Sequence, residues 1–199
     1  PSDIPLRKLP TQYIGFSPEH KGFDGTISLS SNLITSMIKE VGVQLSEMGF
    51  KRLILINAHG GQISLLNTAA RELRSCAPKL SIFPCFLWSG VDGLSELLSK
   101  KEILNGLHAS LAETSLMLAF KPELVGDERP YEVFEGQIPE GWSLEGSAPI
   151  AWLTEDLSKS GVIGDSRGAN EKLGNDLKTL LINHWYRMIM SLMESDWPN

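Results

Sequence analysis

Two histidines and one glutamate have the type and setting to do chemistry. His59 follows the apolar run Leu53-Ile54-Leu55-Ile56 and opens a Gly60-Gly61 turn. In open α/β sheets, ligands bind just beyond the carboxyl ends of strands. Glycines at such a turn let the backbone approach a ligand closely, which makes Gly60 a candidate substrate contact. The plainer alternative for His59 is a turn histidine bonded to backbone. His108 and Glu113 are the only ionisable residues between Asn105 and Lys121. Glu113 lies in Leu111-Ala112-Glu113-Thr114-Ser115-Leu116-Met117-Leu118, an otherwise uncharged and apolar stretch. A carboxylate buried there is costly unless it is paired, hydrogen-bonded or bound to a metal. The alternative is a buried glutamate satisfied by Thr114, Ser115 or backbone. Five residues on an ideal helix turn through about 140°. The two side chains therefore cannot share one helix face, and a common site with His59 requires His108 at or before the first turn.

Two further histidines carry less. His20 lies in the polar loop Ser17-Pro18-Glu19-His20-Lys21-Gly22-Phe23-Asp24-Gly25-Thr26, and exposed loops often have this composition. His184 sits beside Trp185 on the apolar side of the last helical stretch and reads as a core or interface histidine.

The elements that must position these residues alternate. Ser30 or Ser31 caps a helix with apolar positions Leu33, Met37, Val41 and Leu45, and Gly49 stops it. Residues 53–56 read as a strand buried on both faces of a parallel sheet. Leu65, Leu66, Ala69, Ala70 and Leu73 form the stripe of a second helix, ending near Cys76 ahead of Pro78. Residues 81–87 read as the next strand, with Pro84 favouring a strand start or an edge. Helix, strand, helix, strand over 27–87 is the α/β pattern. Residues 91–103 read as a helix or a mobile loop with a helical turn, and 107–120 as a helix stopped by Lys121-Pro122. Residues 127–168 read as loops with a few short strands. Residues 169–194 form a long amphipathic helix, with Leu173, Leu177, Leu180, Leu181, His184, Trp185, Met188 and Leu192 on a face that buries a core or subunit surface.

Composition excludes several classes. A length of 199 residues suits one domain, and 42% hydrophobic with 21% charged residues argues against disorder. Eighteen Lys+Arg against 24 Asp+Glu give a net charge of −6, with no basic cluster beyond Arg7-Lys8 and Lys100-Lys101, so no nucleic-acid partner is expected. No apolar run approaches the roughly 18–20 residues that cross a bilayer, so no membrane partner is expected. Cys76 and Cys85 lie in hydrophobic contexts without C-x-x-C spacing, and read as buried free thiols in a cytoplasmic protein. A nucleotide binder built on Gly60-Gly61 is the weakest alternative, because no G-x-G-x-x-G is present.

Several motifs in register carry a resemblance. Gly15-Phe16-Ser17-Pro18-Glu19-His20, Gly22-Phe23-Asp24-Gly25-Thr26-Ile27-Ser28-Leu29, Leu55-Ile56-Asn57-Ala58-His59-Gly60-Gly61-Gln62, and His108-Ala109 with Glu113-Thr114-Ser115 resemble the creatininase (creatinine amidohydrolase) family in order and spacing. The resemblance implies a three-layer α/β/α sandwich around a mostly parallel sheet. It also implies two divalent metal ions (Zn, Mn or Fe) and hydrolysis of non-peptide C–N bonds in a small-molecule substrate, often a cyclic amide. By the same resemblance His59 is a metal ligand, Glu113 a ligand of the second metal, and His108 the catalytic histidine. Trp88 is a tryptophan on a flap over substrate, and Ser17 and His20 lie in the segment that reaches the substrate pocket. A homo-oligomer, often a hexamer, is implied. Formamide hydrolysis and peptide trimming, both found in the family, are alternatives. A third is a non-catalytic scaffold or small-molecule binder with an incomplete metal site.

The sequence also departs from the family. Ala58 and Gln62 replace Gly and Asn of the usual N-G-H-G-G-N turn, Asp24 replaces Pro, and Ser110 stands where Gly is frequent. The family's E-x-H pair and following Asp precede the first matched motif. Only fourteen residues precede Gly15 here, and they contain no E-x-H. Residues 1–199 are therefore expected to be a single creatininase-like domain lacking its N-terminal segment, and by themselves a poor catalyst. Asp3 is the one candidate for the remaining Asp.

Overall fold

The computed structural model describes residues 5–197, so Asp3 lies outside the described residues. Helix α1 (Ser31–Glu47) starts at Ser30, whose hydroxyl accepts the Leu33 N–H. Strand β1 (Arg52–Asn57), helix α2 (Ile63–Cys76) and strand β2 (Ser81–Phe86) follow. The strands pair in parallel, from Arg52 opposite Ser81 to Asn57 opposite Phe86. Leu53, Leu55 and Ile82 pack against a core of Ile34, Ile38, Leu66, Ala69 and Leu73 from α1 and α2.

Two sequence expectations change here. The buried face of α1 is Ile34, Ile38 and Gly42, while Leu33 and Val41 are exposed. Gly42 is the reason: a Cβ there would lie 2.2 Å from Leu73 Cδ2, so α1 and α2 close through the glycine and turn the contact face by one residue. Strand β1 is half-buried rather than covered on both faces, with Ile56 exposed. Pro84 fits because of parity. The N–H groups of Ser81 and Leu87 donate to Lys51 O and Asn57 O, so odd-numbered amides face β1 and the amide that Pro84 lacks falls on the other edge.

The second half contains α3 (Leu94–Leu97), α4 (Lys100–Asn105), α5 (Leu111–Phe120), β3 (Tyr131–Glu132), α6 (Thr154–Leu157), β4 (Gly164–Asp165) and α7 (Glu171–Glu194). Strands β3 and β4 form a short antiparallel pair. Helix α5 starts at Leu111 rather than near 107, because Ala109 has a φ of +49° and Ser110 is extended. A second core gathers Val91, Leu98, Ala112, Leu116, Leu177 and Leu181. Helix α7 is tied to the sheet at two levels. Trp185 Nε1 donates to Leu87 O just past β2, and the Arg52 guanidinium at the start of β1 donates to Ser195 O and Trp197 O. The helix therefore runs back along the sheet, antiparallel to its strands.

His184 is buried on the core side of α7 as expected, but Met188 is exposed. Cys76 is exposed at the end of α2, where the chain leaves the core, and Cys85 is half-buried, so neither thiol is enclosed. Burial pushes the Cys85 thiol above its usual range. No described helix is long and apolar enough to cross a membrane.

Helices α5 and α7 touch at Gly174, where a Cβ would lie 1.9 Å from Ser115 O. Gly174→Ala gains helix propensity but forces the two backbones apart. We expect a net loss of about 1–3 kcal/mol in urea unfolding. A gain in stability would show that the helices are free to separate.

Candidate functional site

Asn57 ends β1 and organises the turn after it. Its buried side chain donates through Nδ2 to His59 O (2.8 Å). Its Oδ1 accepts from the His59 N–H (3.0 Å) and from Gln62 Nε2 (2.8 Å). Gln62 Oε1 also accepts the Phe16 N–H (3.2 Å), which ties the turn to the loop ahead of α1. That loop is closed at its base, with the Leu29 N–H donating to Gly15 O and the Ser17 N–H donating to Ser28 Oγ, each 2.8 Å. Inside it a 3-10 turn, Pro18–His20, presents Glu19 and His20 to His59 at the end of β1.

Glu19 Oε1 lies 2.7 Å from His59 Nε2 and 3.7 Å from His20 Nε2. One donor atom from each of Glu19, His20 and His59 lies within 4.8 Å of the others, the single such trio among the described residues. Gly61 permits this approach. A Cβ there would fall 2.0 Å from Glu19 Oε1 and 2.7 Å from His59 Nε2, whereas a Cβ at Gly60 would meet open space. His59 Nε2 is buried, yet no correctly directed hydrogen bond satisfies it in spite of its short distance to Glu19. Buried polar atoms are normally paired. An imidazole nitrogen and a carboxylate oxygen that converge without a directed proton between them suit a cation bound by both. His20 Nδ1 meets Thr154 Oγ1 at the start of α6, which orients the ring and leaves Nε2 towards Glu19.

His108 joins this group through His20. Their rings stack with centroids 3.9 Å apart and planes 27° apart, and the His20 and His59 centroids are 5.6 Å apart. His108 precedes α5, and its backbone pairs with Ile163. From there His108 Nδ1 lies 3.9 Å from Glu113 Oε2, which accepts the Ala109 N–H at 2.7 Å. The angular conflict on an ideal helix is avoided because His108 lies outside the helix.

Burial, then the charge of His108, lowers the His20 pKa to about 4, against the pull of Glu19. Burial, then the charge of His59, lowers His108. Burial raises Glu19, but the close approach of the His59 ring, the Glu19 backbone N–H and the charges of His59 and His20 outweigh it and bring the carboxyl below its usual range. Burial raises Glu113 despite the Ala109 N–H and the charge of His59.

The sequence candidates are distributed as follows. His59 and His20 are in the trio, and Ser17 Oγ is 3.5 Å from Glu19 Oε1. His108 and Glu113 form the adjoining pair. Gly60 is exposed at the turn. Trp88 is half-buried and packs against the second core cluster. Glu19 is not among the sequence candidates; its signal in the sequence is its place beside His20 in the motif.

The depressed His20 pKa has a thermodynamic consequence. A neutral ring in the fold stabilises it above the ordinary pKa of 6.5, and that contribution is lost as pH falls towards about 4. In chelator, the stability difference between wild type and His20→Gln should shrink as pH drops through that window. Urea unfolding at several pH values checks it, and a difference independent of pH would contradict the burial of a neutral ring.

The profile of the creatininase family, described as creatinine amidohydrolase, matches residues 2–189. A mycofactocin precursor peptide peptidase of Mycobacterium tuberculosis is 26% identical over 204 residues, covering 96% of this chain and 70% of the relative. A second, from Mycolicibacterium smegmatis, is 24% identical and covers 92% and 66%. Among solved structures, a creatinine amidohydrolase (creatininase) superposes with a TM-score of 0.71 at 21% identity, covering 94% of this chain and 75% of that one. A putative creatinine amidohydrolase from Bacteroides fragilis gives 0.74 at 18% identity, covering 94% and 72%. These likenesses show the layered α/β fold with helices on a parallel sheet, and the match along residues 2–189 places the chain in the creatininase family.

Proposed function

We propose that this protein is a metal-dependent hydrolase of amide C–N bonds. Glu19, His20 and His59 hold one divalent cation, and Glu113 serves a second. The observation that carries this reading is the buried, unsatisfied His59 Nε2 facing Glu19 across Gly61. Zinc, manganese or iron(II) suits an imidazole and carboxylate donor set. Creatininases solved in zinc–zinc and manganese forms support the choice. Such a centre supplies a polarised carbonyl and a water of lowered pKa.

The chain's own residues do the rest. Thr154 and Asn57 fix the orientation of His20 and of the His59 turn. His108, held neutral by burial and by His59, has a lone pair to accept a proton from the attacking water and deliver it to the leaving nitrogen. Glu113, with its pKa raised, sits 3.9 Å from His108 Nδ1 and biases that ring. The substrate we favour is the end of a peptide, because relatives matched over 96% of the chain are named peptidases. A small cyclic amide is the second reading, favoured by the superposed creatininases.

Zinc content and hydrolysis of short peptides and of creatinine should be measured together. His108→Ala should keep zinc and lose about 10²–10⁴ in kcat. Gly61→Ala should lose zinc, because its Cβ occupies the place of the Glu19 oxygen, and Gly60→Ala should not. Loss of zinc in His108→Ala would make His108 a ligand. A zinc-loaded protein that cleaves neither class would refute the hydrolase reading.

A further inference from the structure

Glu102 is a buried acid that touches none of the histidines. It lies in α4, on a helix capped by Ser99, and its side chain reaches away from α4 to the start of α5. Its Oε1 accepts the Ala112 N–H at 2.9 Å, and its Oε2 accepts the Ser110 hydroxyl at 2.7 Å. Ser110 Oγ in turn accepts the Asp165 N–H from β4 at 3.0 Å. Two glycines make room for this contact. A Cβ at Gly106 would lie 2.7 Å from the Glu102 carboxyl, and one at Gly164 would lie 2.3 Å from Ser110 Oγ.

The segment held in this way includes the one non-glycine residue with positive φ among the described residues, Ala109 at +49°. A left-handed alanine persists only when its surroundings enforce it. Four partners do so: Ile163 pairs with His108, Glu113 accepts the Ala109 N–H, Thr114 Oγ1 donates to Ala109 O, and Glu102 grips Ser110 and Ala112. Of these, Glu102 alone contributes a buried side chain from outside the segment. An acceptor at the first turn of α5 is also favourably placed against the positive end of the helix.

We propose that Glu102 is a positioning residue. It clamps the first turn of α5 through Ser110 and Ala112, and so holds the strained Ala109 turn that aims His108 at His20 and brings Glu113 beside it. The inference rests on the role of His108 assigned above. It accounts for a serine at position 110: the hydroxyl is the handle that Glu102 holds.

The test compares wild type, Glu102→Gln, Glu102→Ala and Ser110→Ala, each zinc-loaded, by amide hydrogen exchange and by kinetics on the best substrate found for the wild type. Glu102→Ala should lose protection at 108–112 while α2 and α7 keep theirs. Its kcat should fall roughly 10- to 100-fold with KM little changed, the pattern of a misplaced reacting group. Glu102→Gln retains one acceptor oxygen and should recover part of both. Ser110→Ala, the milder lesion, should move in the same direction and covers the case in which Glu102→Ala fails to fold. Unchanged exchange at 108–112 in folded Glu102→Ala or Ser110→Ala would overturn the clamp. Lost protection with unchanged kcat would overturn its bearing on His108. If the wild type turns over no substrate, the proposed function fails, and the exchange data alone still decide the clamp.

Discussion

Three imidazole rings and two carboxyl groups at the end of one strand have to share very few protons. Burial and mutual repulsion drive His20 and His108 towards the neutral form, and the imidazoles around Glu19 draw it towards the ionised one. The result is a closely spaced set of lone pairs, of which those of Glu19 and His20 are withdrawn from water. Such a cluster opposes folding unless a cation or a substrate uses it. The nearby structure is arranged to hold this set against that cost.

The holding is divided among distant parts of the chain. Asn57 and Gln62 fasten the His59 turn to the loop before α1, and Thr154, far along the sequence, orients His20. The Ala109 turn carries His108 ahead of its helix, so a residue five positions before Glu113 can still meet it. Each of these contacts joins segments that the hydrophobic core does not align by itself. The two core clusters bring the segments near one another, and polar bonds set the final ångström.

What could be read from the sequence follows the same division. The α1–β1–α2–β2 unit was legible because its apolar residues recur at helix and strand periods. His59 was legible because a histidine and two glycines directly follow a strand. The periodicity of α1 points one residue away from its buried face, since the packing of Gly42 on Leu73 is a tertiary fact with no period. Glu19 is hard to read from sequence because its loop looks like any polar loop until the 3-10 turn folds it onto His59. The start of α5 is later than the apolar pattern suggests, because a left-handed alanine has no propensity signal. Thr154 and Glu102 carry no local pattern at all, and only the folded chain brings them to the site.

The central claim is that Glu19, His20 and His59 converge on a cation. Crystals of the protein soaked in zinc, with anomalous data collected at the zinc edge, test it most directly. The account predicts a peak about 2.0–2.2 Å from His59 Nε2 and in reach of Glu19 Oε1 and His20 Nε2. An empty trio, or zinc bound only elsewhere, would contradict it.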